Sequence, residues 1–176
     1  WVHKASHHFD LLNWWIDSDP ESVYALGSLD HYGKNGTFRA ENCRTCPHTS
    51  KCKFYYDITR NQNYMDLYVA NEKYDGYLRD GCVFKNDVNI FDKMAATIRY
   101  KNGVQVAYSL TTYSPYEGYR IAFNGTKGRL EAWIQESRPT SDANFDELVL
   151  FKNFGKREYI QIPFGTSGHG GGDALL

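Results

Sequence analysis

The apolar positions change their spacing along the chain, and the change predicts where helix gives way to sheet. From Ser6 to about Asp17, Phe9, Leu12, Trp15 and Ile16 recur at helical intervals, and Ser6 stands where an N-cap would. Asp19-Pro20 ends that element. The stretch ESVYALGSLDHY then predicts a strand, and NYMDLYVANEKY a short helix. Between them KNGTFRAENCRTCPHTSKCKFYYD shows no periodicity, which marks a polar insertion at about 33–60. From Met94 onward the period is that of strands. MAATIRY and VQVAYSLTTY flank Lys101-Asn102-Gly103, a strong hairpin signal. YRIAFNG and RLEAWIQE follow around a second turn, and DELVLF and REYIQIPF around Asn153-Phe154-Gly155. Six or seven hairpin-linked strands with early helices predict an α+β fold. It is an open, mostly antiparallel sheet with helices on one face, in a single domain over residues 1–176.

Composition narrows the function more by exclusion than by assignment. The chain has 176 residues, a net charge of −1 and 41% hydrophobic residues. Near-neutral charge gives no electrostatic footprint for nucleic acid or an anionic membrane, so neither is expected as a partner. The run FDLLNWWI is broken by Asp10 and Asn13, short of the roughly 20 apolar residues a membrane span requires, and no signal-peptide pattern precedes it. A cytoplasmic protein is expected. Aromatic residues make up 16% of the chain, which suits half-buried strands and sugar-facing surfaces alike.

Four cysteines interrupt the polar insertion and its sequel. Cys43, Cys46 and Cys52 form C-x2-C-x5-C, and Cys82 follows in DGCVF. In a reducing compartment that grouping suits a tetrahedral thiolate site for structural zinc better than disulfides, with His48 as a spare ligand; free structural thiols are the other alternative. A metal there would clip the long insertion. No paired base points to a catalytic cysteine.

Chemistry is denser at the start of the chain. In WVHKASHHFDLLNWW, His7 and Asp10 are three residues apart and share one face of the predicted helix, with Asn13 and Asp17 extending the polar stripe. An imidazole oriented by a carboxylate is what a general base near neutral pH needs, although a solvated helix start would carry the same residues.

HKASHHFDLLNWW followed by SDPESVYALG resembles the start of the C-terminal domain of the glucose–fructose oxidoreductase and inositol dehydrogenase family (Gfo/Idh/MocA). The resemblance continues through CRTCPHTSKC, VNIFDKMAATIRYKNGVQVAYSL and YEGYRIAFNGTKGRLEAW to GHGGGDALL, in the expected order. It implies a sheet with helices on one face, preceded by a Rossmann domain that holds NAD or NADP. GHGGGD is not a dinucleotide fingerprint, because no helix can follow it in a βαβ unit. The expectation is therefore a C-terminal part of a longer enzyme, cut upstream of His3 and inactive by itself. By the resemblance, His7 matches the acid/base that serves the substrate hydroxyl, and Asp10 the carboxylate one turn on. His3 stands where many members carry an acidic residue, with Lys4 beside it as in a lysine-containing subgroup, and His169 matches a histidine near the family's C-terminus. Tyr116, with Tyr113 and Tyr119, is a candidate for lining a sugar site, where packing would serve as well. The implied function is substrate binding in an NAD(P)-dependent oxidoreductase of a sugar, inositol or related polyol. The alternatives are an NAD-dependent glycosidase of the same family and a non-catalytic, zinc-stabilised sugar-binding or scaffold domain. The aromatic sheet face predicts a homo-oligomer.

Overall fold

The computed structural model of the chain describes residues 5–136 and 145–163. The chain divides into two compact units, Trp1–Tyr113 and Ser114–Leu176. Every strand pairing among the described residues is antiparallel, and the seven strands fall into two sheets. The predicted α+β class is what forms, with the strands shared between a three-stranded and a four-stranded sheet.

The first unit opens with helix α1, Ala5–Ile16. Ser6 lies inside the helix rather than capping it. Strand β1, Pro20–Ser28, pairs with β2, Lys93–Tyr100, which pairs in turn with β3, Gln105–Thr111. Strand β2 is central, and its burial alternates strictly: Met94, Ala96, Ile98 and Tyr100 are buried while the residues between them are exposed. That alternation is the pleat expressed as packing, since successive side chains leave a strand on opposite faces. Ala96, Ile98 and Tyr100 form the core, and Phe9 and Ile16 of α1 and Val106 and Tyr108 of β3 pack against it. The helix therefore covers β2 and β3. On the uncovered edge strand, Val23, Tyr24 and Leu26 are 58%, 70% and 63% exposed.

The β2–β3 hairpin sits where Asn102-Gly103 predicts it, with a longer loop than the dipeptide suggests. A two-residue type I′ turn needs positive φ at both positions. Here Gly103 has φ of 88° and Asn102 does not share it. Gly103 N–H donates to the Tyr100 carbonyl and Tyr100 N–H to the Val104 carbonyl, which closes a three-residue loop, Lys101 to Gly103.

Residues 29–92 join β1 to β2. Within them lie α2, Gln62–Leu67, and α3, Glu72–Asp75, which together with a short 3₁₀ turn make up the predicted NYMDLYVANEKY helix. The Asn61 side chain caps α2 by accepting from the Tyr64 N–H. Two carboxylates do most of the ordering. Asp92, 2% exposed, accepts from the backbone N–H groups of Asp30, His31 and Tyr32 at 2.9, 2.8 and 2.9 Å. Asp80, 3% exposed, is gripped by both arms of the Arg44 guanidinium at 3.0 Å, and Arg44 also pairs with Glu72. Gly33, at φ of 62°, brings the chain so close to the Val88 carbonyl that a Cβ would meet it at 2.8 Å.

The second unit is a meander of β4, Gly118–Gly125, β5, Gly128–Gln135, β6, Phe145–Lys152, and β7, Arg157–Pro163, paired in that order. The turn from β6 to β7 places Phe154 at φ of 57°, fully exposed.

Candidate functional site

Helix α1 sorts its polar residues by face, because 3.6 residues per turn sends neighbours about 100° apart. On the sheet side, His8 Nδ1 is hydrogen-bonded to the Tyr108 hydroxyl at 2.8 Å, and the Phe9 ring lies 4.9 Å from the Tyr108 ring. Leu12 is buried, and the Tyr100 hydroxyl donates to Asn13 Oδ1 at 2.8 Å. Burial pushes the phenols of both Tyr100 and Tyr108 above the usual tyrosine range, so they remain neutral donors. Trp15, placed on the apolar face by its spacing, keeps 40% of its surface exposed.

The other side of α1 carries His7 and Asp10, both exposed. They stand one turn apart, about 4.5 Å along the helix axis. No hydrogen bond joins them among the described residues. From Asp10 the face continues into an open groove of about 490 Å³, lined by Asp10, Asn13, Trp14, Asp17, Ser18, Asp19 and Lys101. Trp14 is 75% exposed there. Lys101 ties the far wall together: its Nζ lies 2.9 Å from Asp19 Oδ2, and its N–H donates to the Asp19 carbonyl. Carboxylates and a serine hydroxyl suit the hydroxyls of a polyol, and an exposed indole offers an apolar platform with a polar edge.

His3, Lys4 and His169 lie outside the described residues. Tyr116 belongs to the second unit, half-buried, with its ring 6.1 Å from that of Trp133. Burial pushes the Tyr119 phenol up, with Glu136 and Asp146 adding to the effect. Tyr113, in the first unit, joins an aromatic group with Tyr32, Phe54 and Phe84 around His31, whose ring lies 5.0 Å from that of Tyr113.

All four cysteines are free and half-buried. Burial pushes the Cys43 thiol up, a backbone hydrogen bond from Tyr56 opposes that, and Asp80, Cys52 and Cys82 push upward again. No group of three or more His, Cys, Asp or Glu side chains among the described residues is arranged to hold a metal ion.

Sequence reasoning missed Trp14, Ser18, Asp19 and Lys101 as groove residues. Trp14 had a readable signal: it falls outside the Phe9–Leu12–Ile16 stripe, so an amphipathic helix must expose it. Lys101 had none, because its place depends on a long-range hairpin contact.

Residues 1–147 match the family model described as "Oxidoreductase family, C-terminal alpha/beta domain". The chain is 33% identical over 190 residues to the Bacillus subtilis (strain 168) protein named "Putative oxidoreductase YteT", an alignment covering 99% of this chain and 44% of that protein. The chain thus spans less than half the length of the relative it matches.

Proposed function

Because the chain belongs to the Gfo/Idh/MocA oxidoreductase family, as its C-terminal α/β domain, we propose that it is the substrate-binding part of an NAD(P)-dependent oxidoreductase acting on a sugar, inositol or related polyol. The observation that carries the reading is the exposed face of α1. His7 and Asp10 stand one turn apart there, and Asp10 opens into a groove walled by carboxylates and Trp14.

In this reading His7 takes the proton from a substrate hydroxyl as the attached carbon gives up hydride, and returns it in the reverse direction. Hydride acceptance is what a nicotinamide supplies when bound. The described residues do not fit a dinucleotide, since all their strand pairs are antiparallel and no βαβ unit is present among them. Nucleotide binding is assigned to another part of the protein, which is proposed to work in the cytoplasm. Among the described residues no helix is long and apolar enough to cross a membrane. Asp10 orients the imidazole or a substrate hydroxyl, and the groove holds the rest of the polyol. His3, Lys4 and His169 are proposed as further substrate contacts on the family resemblance, and Tyr116 as an aromatic residue for lining a sugar site. The exposed Val23, Tyr24 and Leu26 on β1 support self-association, which light scattering of the whole protein would test.

The deciding experiment compares two neighbouring histidines in the full-length protein. His7→Ala should lower kcat roughly 10²–10⁴-fold with little change in KM. His8→Ala should lose the Tyr108 hydrogen bond, about 1 kcal/mol of stability, and keep its turnover. A His7 variant that turns over polyols at the parent rate would refute the assignment.

A further inference from the structure

We propose that Arg120, Trp133 and Tyr116 in the second unit form a binding site for the carboxylate of a sugar acid. Arg120 and Trp133 stand directly opposite each other on β4 and β5, and the guanidinium lies 4.2 Å from the centroid of the indole ring. Both side chains are exposed. A π face holds a cation without supplying an oxygen acceptor. Among the described residues, no acceptor meets the N–H donors of Arg120. Every other described arginine reaches an oxygen, as Arg39 does the Phe84 carbonyl, Arg99 the Glu21 carboxylate and Arg157 the Tyr159 hydroxyl.

The neighbours of Arg120 explain why it stays open. Alternate residues of a strand share a face, so Gly118 and Ala122 flank Arg120 on β4. One has no side chain and the other a single methyl group, so neither covers the guanidinium. A carboxylate does stand on that face: the register sets Glu131 opposite Ala122, diagonal to Arg120. Glu131 accepts from Arg129 instead, and Arg129 also donates to Asn124. One uncommitted positive charge is left beside Trp133.

That charge selects the ligand. A guanidinium offers two parallel N–H donors to a carboxylate, a monoanion that one arginine neutralises. A phosphate dianion would call for a second cation, and Arg129 is already engaged. The rings supply the rest of the recognition. Tyr116 is half-buried, its ring 6.1 Å from that of Trp133 and tilted by 58°. The two rings thus meet at a corner against which the C–H face of a pyranose can rest. The site shares Tyr116 with the sugar-lining role proposed above and does not depend on His7.

The test titrates glucuronate, glucose and glucose 6-phosphate into the full-length protein by calorimetry, without nucleotide. Glucuronate should bind roughly tenfold or more tightly than glucose, the scale of a charge-assisted hydrogen-bonded pair, and more tightly than the phosphate ester. Arg120→Ala should abolish that preference. Arg120→Lys should restore only part of it, because an ammonium keeps the charge without the fork. His7→Ala should bind glucuronate as the parent does, so this site and the acid/base assignment fail separately. Should Arg120→Ala not fold, the parent's preference for glucuronate and its decline with added salt still decide. Equal affinity for glucose and glucuronate, tighter binding of the phosphate ester, or no glucuronate binding at tens of millimolar would each overturn the proposal. So would an Arg120→Ala variant that binds like the parent, or a loss of binding in His7→Ala.

Discussion

Two neighbouring regions of the first unit are ordered by opposite means. The α1–β2–β3 region is held by apolar packing: Ala96, Ile98 and Tyr100 are at most 3% exposed, and the contacts around them are non-directional. The segment from 29 to 92 buries few large apolar side chains and is held at points, Asp92 on three N–H groups and Arg44 on Asp80. Packing tolerates small shifts and fails as a whole, whereas a point clamp is exact in direction and fails locally. The difference teaches where to look for chemistry. A packed region can present a helix face such as that of His7 and Asp10, while a clamped loop brings together side chains far apart in the sequence, as it does Arg44 and Asp80.

The contrast breaks most plainly at the core. Ile98→Ala should cost about 3 kcal/mol, within the range for large-to-small core changes, and lower the melting temperature of the whole unit. Asp92→Ala should cost about 2–3 kcal/mol, because it leaves three part-buried backbone N–H groups without their acceptor. Its effect should be local: hydrogen exchange should quicken at Asp30, His31 and Tyr32 before it does in β2. If both variants lowered protection uniformly, the two regions would be one cooperative body and the contrast would fail.

Asp92 also sets a pH signature. Burial raises its pKa, but the backbone donors outweigh burial and hold the carboxyl below the usual aspartate range. Its folded pKa being depressed, its contribution is complete above the unfolded value of about 3.9 and is lost as pH falls through the folded value. Acid should therefore loosen the 29–92 segment first, and Asp92→Asn should flatten that dependence in a pH series of melts.

Smaller effects sharpen the boundary. Tyr100→Phe removes one hydroxyl bond to Asn13 inside otherwise intact packing, and should cost about 1 kcal/mol by chemical denaturation. Lys101→Ala breaks an ion pair whose partners are 64% and 77% exposed, and should change stability by less than about 0.5 kcal/mol while altering the wall of the groove.

The packed region was far more legible in the sequence than the clamped one. Alternation in MAATIRY and helical spacing from Phe9 to Ile16 are local signals, and both elements stand where those signals put them. The clamps join residues 36 to 62 positions apart, as Arg44 to Asp80 and Asp30 to Asp92, and no local pattern encodes a partner at that distance. The stripe of His7 and Asp10 was readable because one helix carries both. The groove's other wall was not, because Asp19 and Lys101 meet only once β1 and the β2–β3 turn are in place. The division of seven strands between two sheets was equally hidden, since hairpin spacing says which strands are neighbours and not where a sheet stops.

The three-residue loop at Lys101 to Gly103 has a bearing on how genes for this domain can vary in length. Val106 and Tyr108 sit opposite Ile98 and Ala96, and those pairings hold only for one offset between the strands. Loss of a single codon in the loop would force either a cramped turn or a one-step slip that carries Val106 and Tyr108 to the far face. The stretch from 29 to 92 is under no such arithmetic away from its clamps, because doubling a flexible loop adds only about 0.6 kcal/mol of closure cost. Insertions and deletions should therefore gather in that stretch and be absent from the hairpin.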